Sequence, residues 1–123
     1  MILKIDTIPE KYFHQMIEII RILQPFTSLR KRQREVFAEL LYYNHKFSQQ
    51  NESPEIVNRL LFDYTTKEEI SKKLSISKAN LYNIFKELRK LQFIISDEIN
   101  PKYKFKYMSH SEISFKFREK TGV

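Results

Sequence analysis

Cysteine and tryptophan are absent from the 123 residues, and glycine occurs once. Without a thiol the chain forms no disulfide, offers no thiolate nucleophile and builds no Cys-based zinc site. His14, His45 and His110 lie far apart, with no HxxxH or HxxE spacing. Each is expected to be an ordinary surface or interfacial residue, so no metal and no cofactor are implied. There is no Gly-rich phosphate loop and no nucleophile–base pair, and the chain is not expected to be an enzyme. No run approaches the ~18 apolar residues of a membrane span. The opening MILKIDTIPEKY carries an acid and a proline before any apolar run, so no signal peptide is visible. The expected location is the cytoplasm, or a phage particle assembled in a host cytoplasm, with no membrane partner.

What is present is a core and a positive charge. At 41% hydrophobic, with ten Phe and seven Tyr, the chain is too rich in core-forming side chains to be disordered. Its length suffices to bury roughly two-thirds of the unfolded surface. Lys and Arg number 22 against 15 Asp and Glu, a net charge of +7, which favours a polyanionic partner. The excess of Ile, Lys, Asn, Phe and Tyr, with Ala38 and Ala79 the only alanines, looks like AT-rich coding. It points to a low-GC bacterium, a phage or a mobile element.

The patterning predicts a mainly α chain with a small β component. MILKI reads as a short strand, and a helix from about 9 to 23 follows, with Pro9 in its first turn and Pro25 ending it. Its apolar residues Tyr12, Phe13, Met16, Ile17, Ile19, Ile20, Ile22 and Leu23 exceed one stripe, so burial on two sides is expected, within the fold or against a second subunit. Thr27 or Ser28 is expected to cap a helix running to about Asn44, with Leu29, Val36, Phe37, Leu40 and Leu41 in the core. HKFSQQNES reads as a polar loop. Ser53 then caps a short helix with Pro54 first and Ile56, Val57, Leu60 and Leu61 inside. Beyond Leu91, QFIIS, DEINPK and YKFKY read as a β-hairpin. EISFKFR is a last strand, with Ile113, Phe115 and Phe117 on one face, able to pair with the hairpin or with the N-terminal strand. The organisation expected is residues 1–26 for packing or dimerisation, 27–107 as the main domain and 108–123 as strand and tail.

The stretch TTKEEISKKLSISKANLYNIFKELRKL, residues 65–91, reads as helix, three-residue turn and helix. Thr66 and Glu69 have the spacing of a capping box, and Glu68 with Lys72 and Glu69 with Lys73 are four apart in the favourable order. Ile70, Leu74, Ile76, Leu81, Ile84, Phe85 and Leu88 point inward, and Ser77 caps the second helix. This pattern resembles the helix-turn-helix DNA-binding families, with Ser71 where a small Ala is usual and Ser75 where Gly is usual. LRKRQREVFAELL is partly similar to the opening of sigma-factor region 4 and LuxR-type domains, with Arg30 in place of Thr and about 20 residues inserted before the next motif. The hairpin resembles the wing of winged helix-turn-helix proteins. Over residues 28–107 these resemblances imply a winged helix-turn-helix, here with an extra N-terminal helix and short terminal strands, and a DNA-binding role by analogy.

At about 100° per residue from Leu81, the outward stripe of the last helix is Ala79, Asn83, Lys86 and Lys90, flanked by Asn80 and Tyr82, with no acid at its centre. Lys78, Ala79, Asn80, Tyr82, Asn83 and Lys86 are therefore the expected base contacts. Thr66, Lys67, Ser77, Lys90, Lys102, Lys104 and Lys106 are the expected phosphate contacts, the last three along one face of YKFKY. RKRQR places charges where the helix dipole disfavours them, which suggests that Arg30, Lys31 and Arg34 meet phosphate or a partner's acidic surface, unless Glu35 and Glu39 balance them. The leading expectation is a sequence-specific double-stranded DNA-binding regulator of a phage or mobile element. The alternative is a phage structural or DNA-packaging protein, small-terminase-like or a virion component, using the same fold for assembly. A winged helix for single-stranded nucleic acid or replication initiation is the third. The partners implied are duplex DNA, a homodimer or higher homo-oligomer, and a virion component or RNA polymerase.

Overall fold

A computed structural model describes residues 2–4, 8–51, 53–108 and 112–114, the segments 2–4 and 112–114 by backbone alone. The described residues form strand β1 (Ile2–Lys4), helices α1 (Pro9–Ile20), α2 (Lys31–Gln50), α3 (Pro54–Leu61), α4 (Tyr64–Leu74) and α5 (Lys78–Lys90), and strands β2 (Ile94–Ile95), β3 (Glu98–Ile99) and β4 (Glu112–Ser114). The protein is mainly helical with a small β component. β1 pairs antiparallel with β4, Leu3 opposite Ile113, so segments 110 residues apart in the sequence meet. β2 and β3 form a separate two-stranded hairpin. Phe115 and Phe117 lie outside the described residues.

α2 is the axis of the molecule. It packs against α1, α3, α4 and α5, which is why Val36, Phe37, Ala38, Leu40, Leu41 and Tyr43 are all buried. The expected loop HKFSQQ is instead its last turns. Phe47 packs against Tyr43 one turn earlier, ring centroids 5.9 Å apart, and contributes to the core edge. Apolar contact one turn apart outweighs the polar composition there. The start is also later than expected. Residues Phe26–Ser28 form a 3₁₀ turn, and Arg30 is the N-cap, its backbone N–H donating to the Gln33 side chain at 2.8 Å. α1 ends at Ile20, since Pro25 disfavours helix in the residue before it and the turn is made ahead of that. Ile22 and Leu23 are thereby exposed rather than buried. Ile56, expected inside α3, is also exposed, while Val57 and Leu61 face the core.

Three aromatics of the C-terminal segment complete the core. Tyr103 stacks near Phe26 and Phe93, Phe105 near Phe13, and Tyr107 against Tyr12, Phe13 and His45. The inward face of YKFKY is as expected, but the segment is not a strand. Asn100 accounts for this. Its N–H and side-chain amide bond the Phe93 and Gln92 carbonyls, and its side-chain oxygen accepts from Lys102 N–H, so the chain turns away after β3. It then runs over α1 and α2.

A buried carboxylate joins three helices. Glu39, on α2, is 3% exposed, yet it receives His14 Nε2 of α1 at 2.5 Å, and Lys73 Nζ of α4 lies 2.8 Å from its other oxygen as an off-axis ion pair. Lys73 also reaches Glu10 at 3.3 Å and lies over the rings of Tyr42 and Tyr43. The expected Glu69–Lys73 pair is therefore replaced. Lys73 is drawn to the buried acid, and Glu69 accepts from Tyr43 Oη at 3.2 Å. Burial pushes the Glu39 carboxyl upward, but the His14 and Lys73 contacts outweigh it and hold the group below its ordinary 4.5. A depressed native value stabilises above the unfolded value and the contribution fades as pH falls through the native one. Glu39→Ala should therefore lose about 3 kcal/mol near neutral pH, the cost of orphaning a buried pair. In urea titrations the gap from wild type should shrink progressively below pH 4.5.

Candidate nucleic-acid interface

The turn between α4 and α5 is built by reciprocal bonds. Ile76 N–H donates to the Ser71 carbonyl at 3.0 Å, and the buried Ser71 hydroxyl donates back to the Ile76 carbonyl. Ser75 adopts the left-handed conformation, φ 54° and ψ 46°, where Gly is usual. Ser77 caps α5 by accepting from Asn80 N–H at 3.1 Å. Leu81, Ile84, Phe85 and Leu88 are buried, so the opposite face of α5 is displayed to solvent.

The capping box expected at Thr66 does not form. α4 begins three residues earlier, with Asp63 as N-cap, and the Thr66 hydroxyl donates at 2.7 Å to the Leu60 carbonyl at the end of α3. That carbonyl also accepts from Asp63 N–H at 3.2 Å, and its second lone pair gives the buried hydroxyl a partner. Thr66 is consequently buried and cannot reach a phosphate. Lys67 lies over Tyr82 and Phe85, 5.3 and 5.6 Å from their ring centroids.

Ala79, Asn80, Tyr82, Asn83, Lys86 and Lys90 are all exposed, as expected, on one face of α5. Lys78 is exposed but engaged. Its ammonium meets the Tyr64 hydroxyl and lies 3.3 Å from Glu68, which also pairs with Lys72 at 3.6 Å. The Tyr64 contact, then Glu68, raises the Lys78 pKa, and the same cluster lowers that of Glu68. Tyr64 was not among the expected site residues, and its exposed ring with Lys78 4.4 Å from the centroid borders the face. No local spacing links residues 64 and 78.

Beside α5 opens a cleft of about 660 Å³ between the start of α2 and the turn, lined by Arg30, Lys31, Arg32, Ser75, Ser77, Asn80, Asn83 and Glu87 among others. Glu87 Oε1 accepts from Arg30 Nη2 at 2.8 Å and Gln33 Nε2 at 2.9 Å. The Gln33 amide, then the Arg30 guanidinium, hold its carboxyl below the ordinary range. Arg32 donates to Glu35 at 3.1 Å and to the Leu74 carbonyl at 2.9 Å, closing the end of α4. Arg34, expected at this surface, turns away. It is largely buried and binds Glu18 of α1 and the Leu29 carbonyl, drawn there by the acid on the neighbouring helix. Of the two acids expected to balance RKRQR, Glu35 does so for Arg32, while Glu39 serves His14 and Lys73.

Lys102, Lys104 and Lys106 are exposed, but Lys104 and Lys106 border a hollow lined by α1 and α2 instead of α5. Lys104 lines hollows with Asn44, Ser48 and Asn58, near the last turns of α2 and α3. The β2–β3 hairpin carries Asp97 in its turn and Glu98 at the start of β3.

No family model, curated protein or solved structure matches the chain, so the interface is read from its own geometry. Among the described residues no group of His, Asp or Glu is arranged to hold a metal, and no helix is long and apolar enough to cross a membrane.

A non-glycine residue in the left-handed region costs on the order of 1 kcal/mol. Ser75→Gly should therefore raise stability, by less than 1 kcal/mol after the entropy glycine adds to the unfolded chain. A shift of the thermal midpoint upward is the expected result.

Proposed function

We propose that the protein binds double-stranded DNA sequence-specifically and regulates transcription for a phage or mobile element. In this reading α2, α4 and α5 constitute a winged helix-turn-helix, β2–β3 is a short wing, and α1 is an addition that shares its core. The observation that carries the reading is the exposed, acid-free row Ala79, Asn83, Lys86 and Lys90 on a helix whose other face is wholly buried. α5 lies in the major groove, where Asn83 can bond adenine bidentately, Lys86 can reach guanine, and Ala79 allows close approach. Lys67, Ser77 and Lys90 flank it on the phosphate side. The protein works in the cytoplasm of the cell that carries the element, with duplex DNA as its first partner and RNA polymerase as a potential second.

A second reading has one observation in its favour. Ile22 and Leu23, just past α1, are 75% and 52% exposed, and an apolar pair in that position suits an assembly surface. In that case the protein is a homo-oligomeric virion or DNA-packaging component. Sedimentation separates the two readings, since a regulator is a monomer or dimer and a packaging component a ring or larger.

Selection of bound sequences from random duplex DNA should enrich a motif. On that motif Asn83→Ala combined with Lys86→Ala should lose roughly 2–4 kcal/mol of discrimination between specific and random duplex, about one to two kcal/mol per contact. Equal loss on both duplexes would show that these side chains do not read bases.

A further inference from the structure

We propose that the cleft between the start of α2 and the flank of α5 is a phosphodiester seat, in which Glu87 occupies, in the free protein, the place a DNA backbone phosphate takes in the complex. The proposal rests on the DNA-binding reading above and assigns the contacts that anchor α5 to the backbone.

Two donors from α2, the Arg30 guanidinium and the Gln33 amide, converge on a single anionic oxygen of Glu87 at 2.8 and 2.9 Å. Convergence of this kind suits an anionic oxygen of any source. Lys31 lies on the same cleft and has no acidic partner among the described residues. Asn80 and Asn83 of α5 line the opposite wall, so an anion seated here touches the helix proposed to read bases. The Glu87 contact is easily exchanged, because Arg30 is 71% exposed and ion pairs in that setting are weak. Guanidinium binds phosphate bidentately at least as well as carboxylate.

The alternative sources of backbone contact are poorly placed. Lys104 stands near the far end of α2, a helix whose 20 residues span about 30 Å. The β2–β3 hairpin presents Asp97 in its turn and Glu98 at the start of β3. Among the cations near α5, those at the start of α2 are the ones that share a cleft with its reading face.

The test measures affinity of the full chain for a short random-sequence duplex across a salt series. Wild type should bind with log K falling linearly in log salt. Arg30→Ala with Lys31→Ala should flatten that slope by about two, one per lost phosphate. Lys104→Ala, which removes one charge elsewhere, should leave it unaltered. Glu87→Gln keeps the side-chain shape and removes the competing charge, so it should bind several-fold tighter. Thermal unfolding of each variant controls for folding. If wild type binds duplex but the double variant keeps the wild-type slope, or Lys104→Ala flattens it as much per charge as the double variant, the phosphate seat is wrong and the DNA reading stands. If Glu87→Gln binds no tighter than wild type, its role as the phosphate's stand-in is wrong. Failure of wild type to bind duplex even at low salt overturns the DNA reading itself.

Discussion

The Glu39 carboxylate governs the arrangement of everything around it. A charge placed in the middle of a helix that is buried on nearly every side must be neutralised from outside that helix. His14 of α1 and Lys73 of α4 approach it from two directions, which sets α1 and α4 against α2. Apolar packing alone would tolerate small slides between those helices, whereas a hydrogen bond to one oxygen and an ion pair at the other oppose them. With α4 held, the Ser71–Ile76 bonds orient the turn, and the turn orients α5.

The outward face of α5 is a consequence of that chain of constraints. Four of its side chains are committed to the core, and Arg32 of α2 reaches across to the Leu74 carbonyl at the end of α4. The start of α2 therefore sits beside α5 instead of elsewhere on the surface. This proximity creates the cleft, joins Arg30 and Gln33 to Glu87, and gives a basic edge to a face whose own centre has no acid. The proposed DNA-binding role draws on both parts, the amide and lysine row of α5 and the cations of α2.

The agreement between sequence and structure follows the range of the interactions involved. Ser77 caps α5 as expected, Ser53 holds the N-cap position of α3 without a side-chain bond, and Leu81, Ile84, Phe85 and Leu88 form the inner stripe, because caps and helical periodicity act within a turn or two. The Glu68–Lys72 pair likewise forms as its spacing suggests. Misreadings arose where a distant partner competed with a local one. Thr66 left the capping box for the Leu60 carbonyl, Lys73 left Glu69 for Glu39, and HKFSQQ became helix through packing of Phe47. The Lys face of YKFKY was read correctly, but Asn100 diverted the segment to the other end of α2.

By itself, then, the sequence determined that the chain has a helical core, a small β component, a short turn between α4 and α5, and an exposed α5 face of Ala79, Asn83, Lys86 and Lys90. These follow from periodicity and local bonding, which one strand of text contains. Only the tertiary structure decided which cations stand beside that face. Arg30 and Glu87 are 57 residues apart in the chain. Their meeting depends on how α2 crosses α5, which is settled by packing and by the buried carboxylate of Glu39, and leaves no trace in the spacing of neighbouring residues.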